Sequence, residues 1–125
     1  MEKKVVSTDK APAAIGPYSQ AVVTGGFVFT SGQIPINPQS GSIEAQGISE
    51  QAEQVMKNLE AVLQKAGSSF DKVVKATCYL TDMADFAAFN EVYAAYMTSK
   101  PARSCVAVKS LPKGALCEVE LVALV

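Results

Sequence analysis

The sequence predicts an α+β fold, a two-layer sandwich in which a mixed sheet carries two helices on one face. Three observations predict it. Strand-like runs with apolar residues at alternate positions open and close the chain. Two stretches between them carry apolar residues at helical spacing. Each helical stretch is followed by a further strand-like run, so the order is β-β-β-α-β-α-β-β. A chain of 125 residues in this order is most simply one domain, residues 1–125.

Taken in order, Lys4 to Ser7 forms a short first strand, and Ala11 to Pro17 is an ordered loop restricted by Pro12 and Pro17. Ala21 to Val23 and Phe27 to Thr30 flank Thr24-Gly25-Gly26, a hairpin signal. Ile34 to Gly47 is loop by its Pro, Gly, Asn, Ser and Gln content. Ile48 to Ala66 is the clearest helix, with Ala52, Val55, Met56, Leu59, Val62 and Leu63 on one stripe. Ser49 is placed to cap its start and Gly67 to end it in the left-handed conformation. Val73 to Leu80 is a strand, and a second helix starts at Thr81-Asp82 and runs through about Met97. Ala102 to Val108 and Leu116 to Val125 are the last two strands, separated by the turn Leu111-Pro112-Lys113-Gly114.

Composition limits the function. Apolar residues are 49% and net charge is −1, which supports a packed core and disfavours nucleic-acid binding driven by a positive field. Low charge beside high apolar content points to surface lost in subunit contacts. Met1-Glu2-Lys3-Lys4 is not followed by a signal-peptide apolar core, and no run has the length of a membrane span. The expected location is cytoplasmic. Cys78, Cys105 and Cys117 are odd in number and lack CxxC spacing, which fits free thiols. With no histidine in the chain, a histidine general base, a Ser-His-Asp triad and histidine-ligated zinc are excluded. No metal or organic cofactor is expected.

The candidate site residues begin with Arg103, the only arginine, at the head of an apolar strand. Its guanidinium suits a carboxylate or phosphate, and a solvated surface charge is the other reading. Glu118 and Glu120 share one face of the last strand with Leu116, Val122 and Leu124, bracketing a polar site or a subunit boundary, or facing solvent. Cys105 shares Arg103's strand face; without a base to activate it, packing or backbone contact is its better role. Tyr18 either covers the core or offers a ring and hydroxyl to a ligand. Gly32, after Ser31, permits close approach of a ligand or another chain. Asn90 lies on the aromatic side of the second helix between Phe86 and Tyr93, where its amide needs a partner in the core or the site.

Gly16-Pro17-Tyr18-Ser19-Gln20-Ala21, Ser31-Gly32-Gln33, Phe89-Asn90-Glu91-Val92-Tyr93 and Pro101-Ala102-Arg103-Ser104-Cys105-Val106 resemble the RidA/YjgF/UK114 family. Leu111-Pro112-Lys113-Gly114-Ala115 and Glu118-Val119-Glu120 continue the match, which runs in order over essentially the whole chain. The resemblance implies a chorismate-mutase-like arrangement and a homotrimer with a central barrel, outer helices and interfacial sites. It implies hydrolytic deamination of reactive 2-enamino and 2-imino acids, such as 2-iminobutanoate and 2-iminopropanoate, to 2-oxo acids and ammonia. Arg103 would bind the substrate carboxylate and Glu118 would position water. Tyr18 would line the cleft from across the interface, Ser31, Gly32 and Asn90 would shape the pocket, and the backbone at Cys105 would position imine or water. The alternatives within the same resemblance are a non-catalytic metabolite-binding trimer, a chaperone-like trimer without turnover, or a translation-inhibiting, ribonuclease-like trimer. One departure is the segment from Tyr96 to Pro101, shorter than in many relatives, which tightens the turn before Arg103.

Overall fold

A computed structural model describes residues 2–125. Its strands are β1 (Lys4–Val6), β2 (Ala21–Thr24), β3 (Phe27–Thr30), β4 (Val73–Leu80), β5 (Ala102–Ala107) and β6 (Cys117–Leu124). Its helices are α1 (Ile48–Ala66) and α2 (Phe86–Tyr96), joined to the strands by loops and short 3-10 turns. The α+β reading and the element order are as expected. The strands form one sheet in the order β1-β2-β3-β6-β4-β5. Only β4 and β5 run parallel, because the α2 crossover connects them; the other pairs are antiparallel.

Both helices pack on one face of the sheet. Val55, Met56, Leu59, Val62 and Leu63 of α1 are fully buried. They join Val28, Ala76, Cys78, Leu80, Val119 and Leu121 from the sheet in one core. At roughly 1.5–3 kcal/mol for each large apolar side chain buried, this layer is the main source of stability. Phe89, Tyr93 and Met97 bury the inner side of the second helix, while Phe86 and Tyr96 stay half-buried. Tyr96 donates its hydroxyl hydrogen to Glu53 Oε2 at 2.5 Å, tying α2 to α1.

The start of α1 differs from expectation. Its cap is Gly47, with no side-chain cap bond, and Ser49 lies inside the first turn. The extended backbone of Gly47 (φ −97°, ψ 164°) brings the chain into the helix one residue before Ile48, and Glu50 supplies the first-turn negative charge. The C-terminal end is as expected: Gly67 adopts φ 83°, and the amide of Ser68 donates to Leu63 O at 2.8 Å.

Among the described residues, no helix lies on the opposite face of the sheet. Phe27, Phe29, Val106 and Leu124 on that face are 36%, 43%, 46% and 44% exposed. Among the described residues no helix is long and apolar enough to cross a membrane.

The long connection from β3 to α1 is fixed by Asn58, which is fully buried in α1. Its amide donates to Ile34 O at 3.2 Å and Ile36 O at 2.9 Å, and its carbonyl oxygen accepts from Gln54 at 2.9 Å. Asn58→Ala would remove the donor to two partly buried carbonyls, so a loss of about 1–2 kcal/mol is expected. Urea denaturation checks this; an unchanged midpoint would show that the loop is held by other contacts.

Candidate active site in two halves

Arg103 enters from β5 at the edge of the sheet. In the β4–β5 ladder it stands opposite Ala76, and in the β4–β6 ladder Ala76 stands opposite Leu121, so its side chain lies on the helix-covered face. There it meets α2. Its Nη1 donates to Asn90 Oδ1 at 2.6 Å, and the guanidinium carbon lies 4.7 Å from the Tyr93 ring centre and 5.5 Å from that of Phe86. All three partners are neutral. Arg103 borders a cavity of about 630 Å³ shared with Asn90, Tyr93, Met97, Thr98 and Lys100, and no carboxylate lines it. The cavity therefore has uncompensated positive charge suited to an anion.

The short Tyr96–Pro101 connection shapes this half. Met97 within it is buried, and Lys100 takes a left-handed conformation (φ 50°) that turns the chain into β5. Cys105, two residues beyond Arg103, shares its face and pairs in register with Cys78. Burial raises the Cys105 thiol pKa, with Arg103 opposing; burial pushes Cys78 and Cys117 up to about 12. These thiols are held protonated, which does not suit a nucleophile.

Glu118 lies on the other face. It stands opposite Tyr79, and Glu120 opposite Thr77, so both carboxylates project from the open side of the sheet. Glu120 Oε1 accepts from the Tyr79 hydroxyl at 3.2 Å. Glu118 borders a second cavity, of about 380 Å³, with Tyr18, Ser31, Gly32, Ile36 and Lys113. Burial, and then the charge of Glu120, raise its carboxyl pKa. A Cβ on Gly32 would meet Glu118 Cδ at 2.8 Å and Cγ at 3.0 Å, so the glycine is required for the carboxylate to sit where it does.

Buried Gln20 holds the loop whose Pro12 and Tyr18 line this second cavity. Its Oε1 accepts from the Thr8 amide at 2.7 Å, and its Nε2 donates to Thr8 O at 3.0 Å, Ala11 O at 3.3 Å and Pro12 O at 2.8 Å. These bonds fix the loop leading to Tyr18, which remains 53% exposed. Ser31 donates its hydroxyl to Ser19 O at 2.5 Å, holding the two sides of the cavity together.

One chain thus brings Tyr18, Ser31, Gly32 and Glu118 together, and separately brings Arg103 and Asn90 together. The two groups lie on opposite faces of the sheet. Neither cavity includes Cys105 in its lining. Phe86 and Tyr93 pack with the core and also contact Arg103, and Lys113, in the turn before β6, borders the Glu118 cavity. The signal for Phe86 and Tyr93 was their helical spacing on either side of Asn90.

The family described as Endoribonuclease L-PSP matches residues 8–125. A RutC family protein of Pyrococcus abyssi is 52% identical over 98% of each chain. The 2-iminobutanoate/2-iminopropanoate deaminase of Mus musculus is 48% identical, over 97% of this chain and 90% of that one. The crystal structure of E. coli TdcF with bound serine superposes with a TM-score of 0.92 at 44% identity, covering 98% of both chains.

Two outcomes are expected. Gly32→Ala forces the flexible Glu118 side chain off its position, so the pH dependence that Glu118 contributes should change while stability, read from the denaturation midpoint, falls by no more than about 1 kcal/mol. The raised Glu118 pKa means that the folded protein binds this proton more tightly than the unfolded chain. Its contribution is complete below the unfolded value, and stability falls as pH rises from the ordinary carboxylate range through the folded value. Glu118→Gln should flatten that fall; parallel stability curves for both proteins across pH would contradict it.

Proposed function

We propose a function from the premise that the chain belongs to the endoribonuclease L-PSP family, the YjgF/RidA family: it hydrolyses reactive 2-imino acids, with their enamine tautomers, to 2-oxo acids and ammonia. The observation that carries this reading is Arg103, a half-buried cation held only by neutral side chains beside a cavity free of carboxylates. That arrangement suits a small carboxylate ligand. The 2-iminobutanoate/2-iminopropanoate deaminase name of the mouse relative supports the chemistry.

In this reading the active unit is a closed assembly of identical chains, with three copies proposed. Phe27, Phe29, Val106 and Leu124 supply the apolar contact surface. The Arg103 half of one copy meets the Glu118 half of the next, which answers the separation of the two halves within one chain. Tyr18, Ser31 and Gly32 arrive with Glu118.

Arg103 fixes the substrate carboxylate and orients C2. Glu118, its basicity increased by burial and by Glu120, accepts a proton from a water as the water oxygen bonds to C2. The C=N π electrons move to nitrogen. Nitrogen takes that proton from Glu118 to give the tetrahedral aminol; Glu118 then carries the aminol O–H proton to nitrogen as the C–N bond breaks, so ammonia leaves and the C2 carbonyl forms. Water is consumed and no electrons are exchanged with a cofactor. Positioning and charge placement supply most of the acceleration. Backbone at Cys105 is assigned to positioning; its protonated thiol takes no covalent part.

The family description raises ribonuclease activity as a second reading. With net charge −1 and a single arginine, the chain offers little of the cationic surface that RNA binding uses.

Arg103→Ala and Glu118→Gln should each lower imine hydrolysis at least about a hundredfold in an assay coupled to a serine or threonine dehydratase. Refolding the two variants together at equal ratio should restore activity toward about a quarter of the wild-type level, because random mixing pairs an intact Arg103 with an intact Glu118 in that share of trimer interfaces. Absence of recovery in verified mixed assemblies would place both residues in the site of one copy.

A further inference from the structure

We propose that Phe86, Asn90 and Tyr93 of α2 form a clamp that fixes the plane and rotation of the Arg103 guanidinium, so that it receives a planar carboxylate through two parallel hydrogen bonds and discriminates against tetrahedral anions. This rests on the assignment of Arg103 as the carboxylate anchor, and it makes Asn90 and Tyr93 positioning residues rather than substrate contacts.

The spacing creates the clamp. Residues 86, 90 and 93 fall on one side of a helix, one turn apart, and that side faces the start of β5. Both rings lie within the range of a cation–π contact, at 5.5 Å and 4.7 Å from the guanidinium carbon. Rings alone leave the guanidinium free to rotate in its own plane. The 2.6 Å bond from Nη1 to Asn90 Oδ1 removes that freedom. An arginine otherwise has several rotatable bonds to order when it binds, and the clamp orders them before the ligand arrives.

The clamp holds the charge without cancelling it. An aspartate at position 90 would make the same hydrogen bond but would occupy Arg103 as an ion pair. Tyr93 is 7% exposed, and burial pushes its phenol up to about 12, so it stays neutral beside the cation. Its hydroxyl has no hydrogen-bond partner among the described residues. The ring, 4.7 Å from the guanidinium carbon, is the part that the clamp uses. With one edge engaged by Asn90, the remaining N–H donors present a fixed fork, which matches the two coplanar oxygens of a carboxylate.

The test measures binding of 2-oxobutanoate and of propylphosphonate by calorimetry, together with KM and kcat in the dehydratase-coupled assay. Folding is checked by circular dichroism. Asn90→Ala and Tyr93→Leu should each weaken 2-oxobutanoate binding about tenfold, raise KM by a similar factor with kcat little changed, and narrow the preference over propylphosphonate. Tyr93→Phe, which keeps the ring, should recover most of what Tyr93→Leu loses. Asn90→Asp should be worse than Asn90→Ala. If Tyr93→Phe is as damaged as Tyr93→Leu, the hydroxyl is the working group and the clamp is overturned. If Asn90→Ala and Tyr93→Leu bind as wild type while Arg103→Ala does not, the clamp is overturned and the anchor stands. If Arg103→Ala itself binds 2-oxobutanoate normally, the anchor falls and the clamp with it.

Discussion

The alternation of side chains along β6 is the constraint on which the rest of the structure depends. Cys117, Val119, Leu121 and Ala123 are buried under the helices, and Glu118, Glu120 and Val122 project from the other side. A slip of one residue would bury two carboxylates and expose the middle of the core. The strand lies between β3 and β4, so the same alternation sets the register of both neighbours. Through β4 it reaches β5 and decides that Arg103 faces α2 while Glu118 faces away. The separation of the two halves follows from this register.

Each half is built around one side chain whose position is forced by its neighbours. On the open side, Gly32 leaves room for the Glu118 carboxylate and the Gln20 bonds hold the loop before Tyr18. On the covered side, α2 presents two rings and an amide to Arg103. The first arrangement raises the proton affinity of an acid by burial, and the second keeps a cation available by surrounding it with neutral groups. These are the complementary requirements for holding an anion while moving a proton at its neighbour.

Much of the fold was legible because periodicity and breakers agreed. The stripe from Ile48 to Ala66 matches α1 residue for residue, and Gly67 ends it as its lack of a side chain allows. Val73 to Leu80 matches β4, and the later strands differ only at their ends. Ser49 is not the cap of α1 because a serine near a helix start carries only a preference, whereas Gln51 ties this start to its surroundings by donating to Ala45 O and accepting from the Leu116 amide. Arg103 stood out as the only arginine, and Glu118 as a charge on an apolar strand. Their placement on opposite faces needed the β4–β5 and β4–β6 registers, because alternation within one strand says nothing about the phase of the next. Phe86 and Tyr93 were hidden because an aromatic ring on a helix stripe has the same pattern whether it packs on leucine or on a guanidinium.

The neutral surroundings of Arg103 have a kinetic consequence for the proposed reaction. The carboxylate that it holds is the same in the imino acid and in the oxo acid, so this contact binds reactant and product alike. In that reading it lowers the concentration needed for saturation, and it also tightens binding of the keto acid product. Accumulated product should therefore compete for the site. Relief from that inhibition has to originate at C2, where nitrogen has been replaced by oxygen, which in the proposed assembly is the side that Glu118 faces.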